Sequence, residues 1–420
     1  MKDSSSVFSR VCVTGPILAP AGHAMLTNPA HHVFGMTPDD LRVFVAGLGM
    51  PAYRADQILE WVYAHGVADP AGMTNLSRPD RDTIARDLAL CTGATIAHQA
   101  ASDGVQKLLI QWTDDSLAPD SGAGVLPGRK DAVQQQEQPA QGTSPQAPVL
   151  NVLQAPDTDP TRQTECVMIP AEGRRTACVS SQVGCPVGCR FCASGLGGLD
   201  GNLSAGRIVE QVWRLARLPG VGRISNVVFM GMGEPLANFD NVKHAIETIA
   251  APWGLNISAR KITVSTVGLP KYIERLAREL DLPVTLALSL HAPTDDIRRS
   301  LIPWSEFTTI AELLDACRLW FEKTGREITL EYTLMREIND RPEHARELAR
   351  LARSMRSNVN LIRYNEVEGM PYQRPASQDV RAFQTILRDA GVTVHIRASR
   401  GRDIAAACGQ LRHEAAEAGP

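Results

Sequence analysis

The stretch SSQVGCPVGCRFCAS, residues 180–194, sets Cys185, Cys189 and Cys192 in a C-x3-C-x2-C spacing. Thiols gathered this tightly, in a chain with no secretory signal, read as metal ligands rather than as a disulfide framework. A thiolate-bound 4Fe–4S cube offers four irons, and structural zinc likewise takes four protein ligands, so three cysteines leave one position open. Cys178, seven residues upstream, could instead complete a closed four-cysteine site. On this stretch alone both readings stand.

Other residues could do chemistry but are weaker singly. GMGEP, residues 231–235, puts two glycines and a proline where a ligand could approach the backbone, although the pattern also suits an ordinary strand-to-helix turn. His291, in SLH, is a ligand candidate or a satisfied core histidine. Cys178 and Cys408 taken separately read as small buried hydrophobes. Cys12, Cys91, Cys166 and Cys317 have no motif around them and are expected to be structural.

The elements that must position these residues follow from periodicity. Residues 1–35 read as a disordered leader. Between 36 and 92 apolar residues recur at three and four spacing, and with the strand GVQKLLIQW they form a helical accessory domain, 36–112, that ends in the start of a β-hairpin. A Pro- and Gln-rich segment, 113–163, reads as a disordered insertion at the hairpin tip. From 164 to 412 short apolar runs alternate with amphipathic helices, and a tail, 413–420, follows. Candidate strands are TECVMIP, TACVS, SNVVFMG, KITVST, PVTLALSL, EITLEYTLM, NVNLIRYN and VTVHIRAS. Six βα units predict an α/β fold with a parallel sheet, curled into part of a barrel or left open. The cysteine cluster, GMGEP, STVG, SLHAP and YNEVEG each fall at the C-terminal end of a strand, where barrel enzymes keep their active sites.

With 420 residues, 44% of them hydrophobic, the chain can bury the core of a two-domain enzyme. A net charge of −3 excludes a global positive field, so any RNA must be held by a local patch. Arg174 and Arg175, Arg298 and Arg299, and Arg397, Arg400 and Arg402 are candidates to ring the mouth of a barrel; a solvated basic surface is the plainer alternative. No run approaches the roughly 18 apolar residues of a membrane span. A reducing compartment, the cytoplasm, is expected.

The segments ACVSSQVGCPVGCRFCASG, NVVFMGMGEPLAN, VSTVGLP, LALSLHAPTDDIRRSLIP, VNLIRYNEVEG and RGRDIAAACGQL occur in that order. Together with ADQILEWVY and MTNLS nearer the N-terminus, they make the chain resemble the RlmN/Cfr family of radical S-adenosylmethionine (SAM) adenosine methyltransferases, and its RlmN branch more closely. The resemblance implies a partial (β/α)6 radical SAM barrel that holds one 4Fe–4S cluster on Cys185, Cys189 and Cys192, with SAM on the open iron. It implies methylation at C2 of adenosine 2503 in 23S rRNA, and of adenosine 37 in tRNA as a second substrate. C2 is electron-poor, so it does not attack an electrophilic methyl, whereas a carbon radical can add there.

By the same resemblance two SAM molecules are consumed, and Cys408 passes through an S-methylcysteine. Glu165 would take the C2 proton, and Cys178 would free the product through a transient disulfide with Cys408. Gly233, Glu234, Ser265, Ser289, Leu290, His291 and Asn365 would contact SAM. An electron donor such as flavodoxin or ferredoxin is expected, and a monomer. The insertion lies just before Glu165, and Gly201 stands where the family often carries a basic residue. Methylation at C8, as in the Cfr branch, is the enzymatic alternative; an RNA-binding protein with a structural four-cysteine metal site is the non-catalytic one.

Overall fold

The structure, a computed structural model, describes residues 31–113 and 162–411. Cys12, the leader up to residue 30, nearly all of the expected insertion and the tail lie outside the described residues. The chain opens with α1 (Pro38–Gly47), where Thr37 and Asp40 form a reciprocal capping box and proline takes the first helical position. After α2 (Arg54–Leu59) a π-helical turn, Glu60–His65, ends at Gly66, whose left-handed φ of 72° closes it. Ser77 caps α3 (Arg78–Asp87). Leu41, Val45, Ile58, Val62 and Ile84 are wholly buried and join this unit to the main core.

A single curled sheet follows. Strands β1 (Gly93–Ala100), β2 (Gln106–Trp112) and β3 (Gln163–Ala171) are antiparallel neighbours, and β3 pairs antiparallel with β4 (Arg174–Cys178). A small separate hairpin, β5 (Gln182–Gly184) and β6 (Leu199–Asn202), brackets the cysteine loop. Then come α4 (Ala205–Ala216), β7 (Asn226–Phe229), α5 (Phe239–Ala250), β8 (Ile262–Thr266), α6 (Pro270–Glu279), β9 (Thr285–Ser289), α7 (Asp295–Leu301) and α8 (Ile310–Thr324). The order continues through β10 (Ile328–Leu334), α9 (Pro342–Arg353), β11 (Ser357–Arg363), α10 (Ser377–Asp389) and β12 (Val394–Arg397). The sheet order is β1-β2-β3-β4-β7-β8-β9-β10-β11-β12, parallel from β4 onward. Ile169, Thr176, Thr263, Thr329 and His395, from strands as far apart as β3 and β12, line one cavity of about 630 Å³. That common cavity requires the curl of a partial barrel, so the expected α/β architecture is the observed one.

Two elements escape the sequence pattern. β1 carries Ala, His and Gln without apolar alternation and is only half-buried, so it exists through its pairing with β2. The β5–β6 hairpin is too short for periodicity to announce.

Helix α4 joins the accessory unit to the barrel through buried polar contacts. Glu210, wholly buried, accepts from the backbone N–H groups of Thr92 (3.0 Å) and Gly93 (3.1 Å), and from Arg214 Nε at 2.7 Å. Trp213 Nε1 donates to Val62 O at 2.8 Å. α4 comes so near the N-terminal segment that a Cβ at Gly206 would lie 3.0 Å from Gly35 N. Burial opposes ionisation of Glu210, yet the Arg214 charge and these hydrogen bonds hold its pKa at about 2, below the usual 4.5. A depressed carboxylate stabilises the fold above its unfolded pKa, and this stability is lost as pH falls from 4.5 through about 2. Glu210→Gln is therefore expected to lower stability at pH 7 by about 3 kcal/mol and to flatten the acid limb of the stability profile. Denaturant unfolding across pH checks both.

Candidate active site

The cysteine loop leaves β5 at the C-terminal rim of the parallel strands. The β5–β6 hairpin pins its two ends, and Cys185 N donates to Gly198 O at 2.6 Å. Cys185, Cys189 and Cys192 all line one small cavity of about 140 Å³, together with Gly233, Glu234, Ser265, Ser289, His291 and Cys408. Segments far apart in sequence thus meet on one space, as their places at strand ends predict.

The thiols fit a cluster rather than a lone ion. Burial pushes the Cys185 thiol up to about 12, Cys189 well above its ordinary value and Cys192 upward, so three thiolates persist here only beside cationic charge. Among the described residues no three His, Cys, Asp or Glu side chains converge on a point that one metal ion could occupy. Thiols spread round a cavity suit a cube of four irons, three of which would each take one thiolate. The closed site that would use Cys178 is disfavoured by geometry, because Cys178 packs with Val167, Met232 and Ala406 instead of on this cavity.

GMGEP is shaped for close approach. A Cβ at Gly233, whose φ is 101°, would lie 2.7 Å from both Ser181 Oγ and Gln182 Cβ. Beside it the buried Ser181 Oγ has no hydrogen-bond partner among the described residues, leaving a polar atom for a ligand. Glu234 is committed to the fold: its two carboxylate oxygens accept from Leu236 N (2.9 Å) and Val267 N (2.8 Å), which bind the loop after β7 to the one after β8. Burial nevertheless raises its pKa.

Ser265 and Ser289 hydroxyls lie 3.3 Å apart on the cavity wall. The Leu290 side chain is wholly buried in the core, so only its backbone can serve a ligand. His291 has a left-handed φ of 56°, and its Nδ1 accepts from Thr333 N at 3.0 Å. Burial, reinforced by the Arg298 charge, holds its pKa down at about 3. The ring is therefore neutral, with its proton on Nε2 as a donor for the cavity. Asn365 is an anchor: its Nδ2 donates to Cys408 O at 3.1 Å, and its Oδ1 accepts from Arg374 at 3.0 Å.

The C-terminal segment is stapled to the cysteine loop, with Ala193 N donating to Gly409 O (2.8 Å) and Ser194 Oγ to Leu411 O (2.7 Å). This places the exposed Cys408 between the small cavity and the 630 Å³ one below it, on the wall of both. Cys178 lies within electrostatic reach of Cys408, and burial is the main cause that lifts its pKa to about 12. All eight described cysteines are free thiols. Glu165 sits on β3, its side chain on the same face as Val167 but outside both cavities, with Oε1 2.6 Å from Lys107 Nζ.

Two residues unassigned by the sequence stand beside Cys408. Arg397, a candidate there only for the mouth of the barrel, lies on both cavity walls and keeps its charge against burial through Cys408, Glu331 and Cys178. Glu331 has one oxygen on Asn360 Nδ2 (3.1 Å), and the other has no partner among the described residues. Its signal was a lone carboxylate inside the apolar run EITLEYTLM.

Part of the expected basic ring gathers at one cavity. Arg298 is 1% exposed and donates to Leu290 O (3.3 Å) and Val267 O (2.5 Å), so it braces the SLH loop. Arg299 pairs with Asp296. Arg174, at the start of β4, lines the 630 Å³ cavity together with Arg397, the exposed Arg400 and Cys408, whereas Arg175 and Arg402 do not.

Comparison with known proteins adds to this geometry. Residues 179–351 match the radical SAM superfamily, and residues 31–89 match the ribosomal RNA large subunit methyltransferase N-terminal domain. The chain is 39% identical over 384 residues to a dual-specificity RNA methyltransferase RlmN of Syntrophus aciditrophicus, covering 91% of this chain and 96% of that one. It is also 39% identical over 388 residues to a probable dual-specificity RNA methyltransferase RlmN of Gloeobacter violaceus, covering 92% and 96%. A crystal structure of a radical SAM methyltransferase from Sphaerobacter thermophilus superposes with a TM-score of 0.78 at 37% identity, over 91% of this chain and all of that one.

Proposed function

The chain belongs to the RlmN family of radical SAM RNA methyltransferases, enzymes that use a 4Fe–4S cluster and SAM, and from that premise we propose that it methylates C2 of adenosine 2503 in 23S rRNA through an S-methylated Cys408. Adenosine 37 of tRNA is the second substrate, which the dual specificity in the names of its relatives supports. The observation that carries the reading is the meeting of Cys408 with three cluster thiols on one cavity, with Cys178 within electrostatic reach.

Bound on Cys185, Cys189 and Cys192, the cluster and its SAM supply a transferable methyl group and, on one-electron reduction by a flavodoxin or ferredoxin, a radical that abstracts hydrogen. The rest falls to the chain. Cys408 sulfur takes the methyl group by displacement and later loses one hydrogen from it, leaving a carbon radical tethered to the protein. That carbon adds to C2. The adduct would return its unpaired electron to the cluster, Glu165 accepts the C2 proton, and Cys178 attacks Cys408 sulfur, so that a disulfide forms while the methylene carbon takes up a proton and leaves as the methyl group of the base. His291 and the Ser265–Ser289 pair offer donors that orient SAM, and Gly233 lets it approach the backbone.

Nucleoside mass spectrometry on 23S rRNA, from a host lacking its own enzyme and expressing this protein, tests the reading. 2-Methyladenosine is expected. 8-Methyladenosine would overturn the regiochemistry, and neither product in the presence of an assembled cluster would overturn rRNA as the substrate.

A further inference from the structure

Lys107 has no place in the scheme above, yet its side chain is only 9% exposed, in a strand that otherwise reads as core. Burying a lysine costs several kcal/mol unless the charge is paired, so its position calls for a reason. Its Nζ makes two contacts. One is the ion pair with Glu165 Oε1 at 2.6 Å; the other is a hydrogen bond to the carbonyl of Ala405 at 3.4 Å, three residues before Cys408. The second contact is longer and weaker than the first.

Ala405 itself is unusual. It holds a left-handed φ of 49°, which costs an alanine about 1 kcal/mol. The segment around it is docked on the turn between β1 and β2 by two further bonds. Ser102 N donates to Asp403 Oδ2 at 2.9 Å, and Gly401 N donates to Asp103 Oδ2 at 3.0 Å. Gly401 is pressed against this turn, since a Cβ there would lie 2.8 Å from Val105 Cγ1. The β1–β2 hairpin is thus a platform for the Cys408 segment, and Lys107 is the point where that platform also grips Glu165.

We propose that Lys107 is a positioning residue for the second half of the reaction: one ammonium holds Glu165 as the carboxylate and ties it to the segment that carries Cys408. The inference rests on Glu165 being the base. When Glu165 takes up the C2 proton its charge is lost, and the ion pair with it. The ammonium then keeps only the Ala405 carbonyl, and the carboxylic acid is free to part from Lys107 while the adduct on Cys408 is resolved. The first half of the reaction, methyl transfer to Cys408 sulfur, needs neither Glu165 nor Lys107.

The test compares Lys107→Met, Lys107→Arg and Glu165→Gln in the full, cluster-loaded enzyme. Intact-protein mass spectrometry reads methylation of Cys408, and single-turnover assays across pH read formation of methyladenosine. Lys107→Met is expected to acquire the methyl group on Cys408 normally but to form methyladenosine about tenfold more slowly at neutral pH. Its acid limb moves to higher pH, because a carboxylate without its cation protonates more readily. Lys107→Arg keeps the charge and returns the limb to its wild-type position. Should Lys107→Met fail to load iron, Lys107→Gln, which keeps a donor toward Ala405, must show the same displaced limb.

Neutral variants with the wild-type rate and pH profile, alongside an inactive Glu165→Gln, overturn the role of Lys107 alone. Glu165→Gln at the wild-type rate overturns the base assignment and this inference together.

Discussion

Cys408→Ala enzyme is expected to assemble its cluster and bind SAM, yet to form no measurable methyladenosine, a loss of at least about 10⁴-fold in turnover. The reason is chemical rather than architectural. On the proposed reading the target is C2, a carbon too electron-poor to displace a methyl group directly, and the methyl carbon is first carried on the Cys408 sulfur, from which it can also be released. Cys408 is the described thiol that opens on both cavities beside the cluster ligands. Its segment hangs from backbone bonds to Ala193 and Ser194 and from Asn365 on its carbonyl, none of which uses the sulfur. Alanine should therefore keep the loop in place. Iron and sulfide analysis with an RNA methylation assay separates the two: low iron would make the loss structural, and residual methylation above about 1% would remove Cys408 from the reaction.

Cys178→Ala enzyme makes the opposite error and is expected to stop late, with RNA covalently bound to Cys408 in nearly stoichiometric amount. On the proposed reading Cys178 is the resolving thiol, and without it the methylene bridge between Cys408 sulfur and the base has no internal nucleophile to break it. Cys178 is 7% exposed and packs among Val167, Met232 and Ala406. Its own pKa, lifted to about 12 chiefly by burial, means that the attacking thiolate must be generated in place. The Arg397 guanidinium opposes that rise and is the group suited to help. A retarded band on a denaturing gel, lost after nuclease digestion, reports the adduct. Free turnover by Cys178→Ala would assign resolution to another thiol.

What the sequence made legible followed from spacing and position. The C-x3-C-x2-C run, the alternation of strands and helices after residue 164, and the placement of each special segment at a strand end were enough to bring most of the candidate site together. What stayed hidden was pairing. Glu234 looked like a ligand for SAM, but its oxygens are already taken by Leu236 and Val267. Arg298 was a candidate for the mouth of the barrel and is buried under SLH, because a short helix, α7, turns it inward onto three carbonyls. Lys107 went unremarked as a charge inside QKLLIQW, and its partners lie 58 and 298 residues away in the chain. Periodicity reports which face of a strand is buried; it does not report what a buried polar group meets there.

The seam between β2 and β3 has a consequence for how the molecule can be divided. Gln111 stands directly opposite Gln163 in the ladder, so the chain leaves the sheet and re-enters it at adjacent positions, held by Trp112 Nε1 on Thr164 Oγ1 at 2.8 Å. A cut between them would yield one fragment with the accessory helices and Lys107, and another with Glu165 and every thiol of the site. Neither half would hold both members of the Lys107–Glu165 pair. Fragment complementation across that seam would make the ion pair a reporter of reassembly, with catalysis returning only when the two pieces are zipped edge to edge.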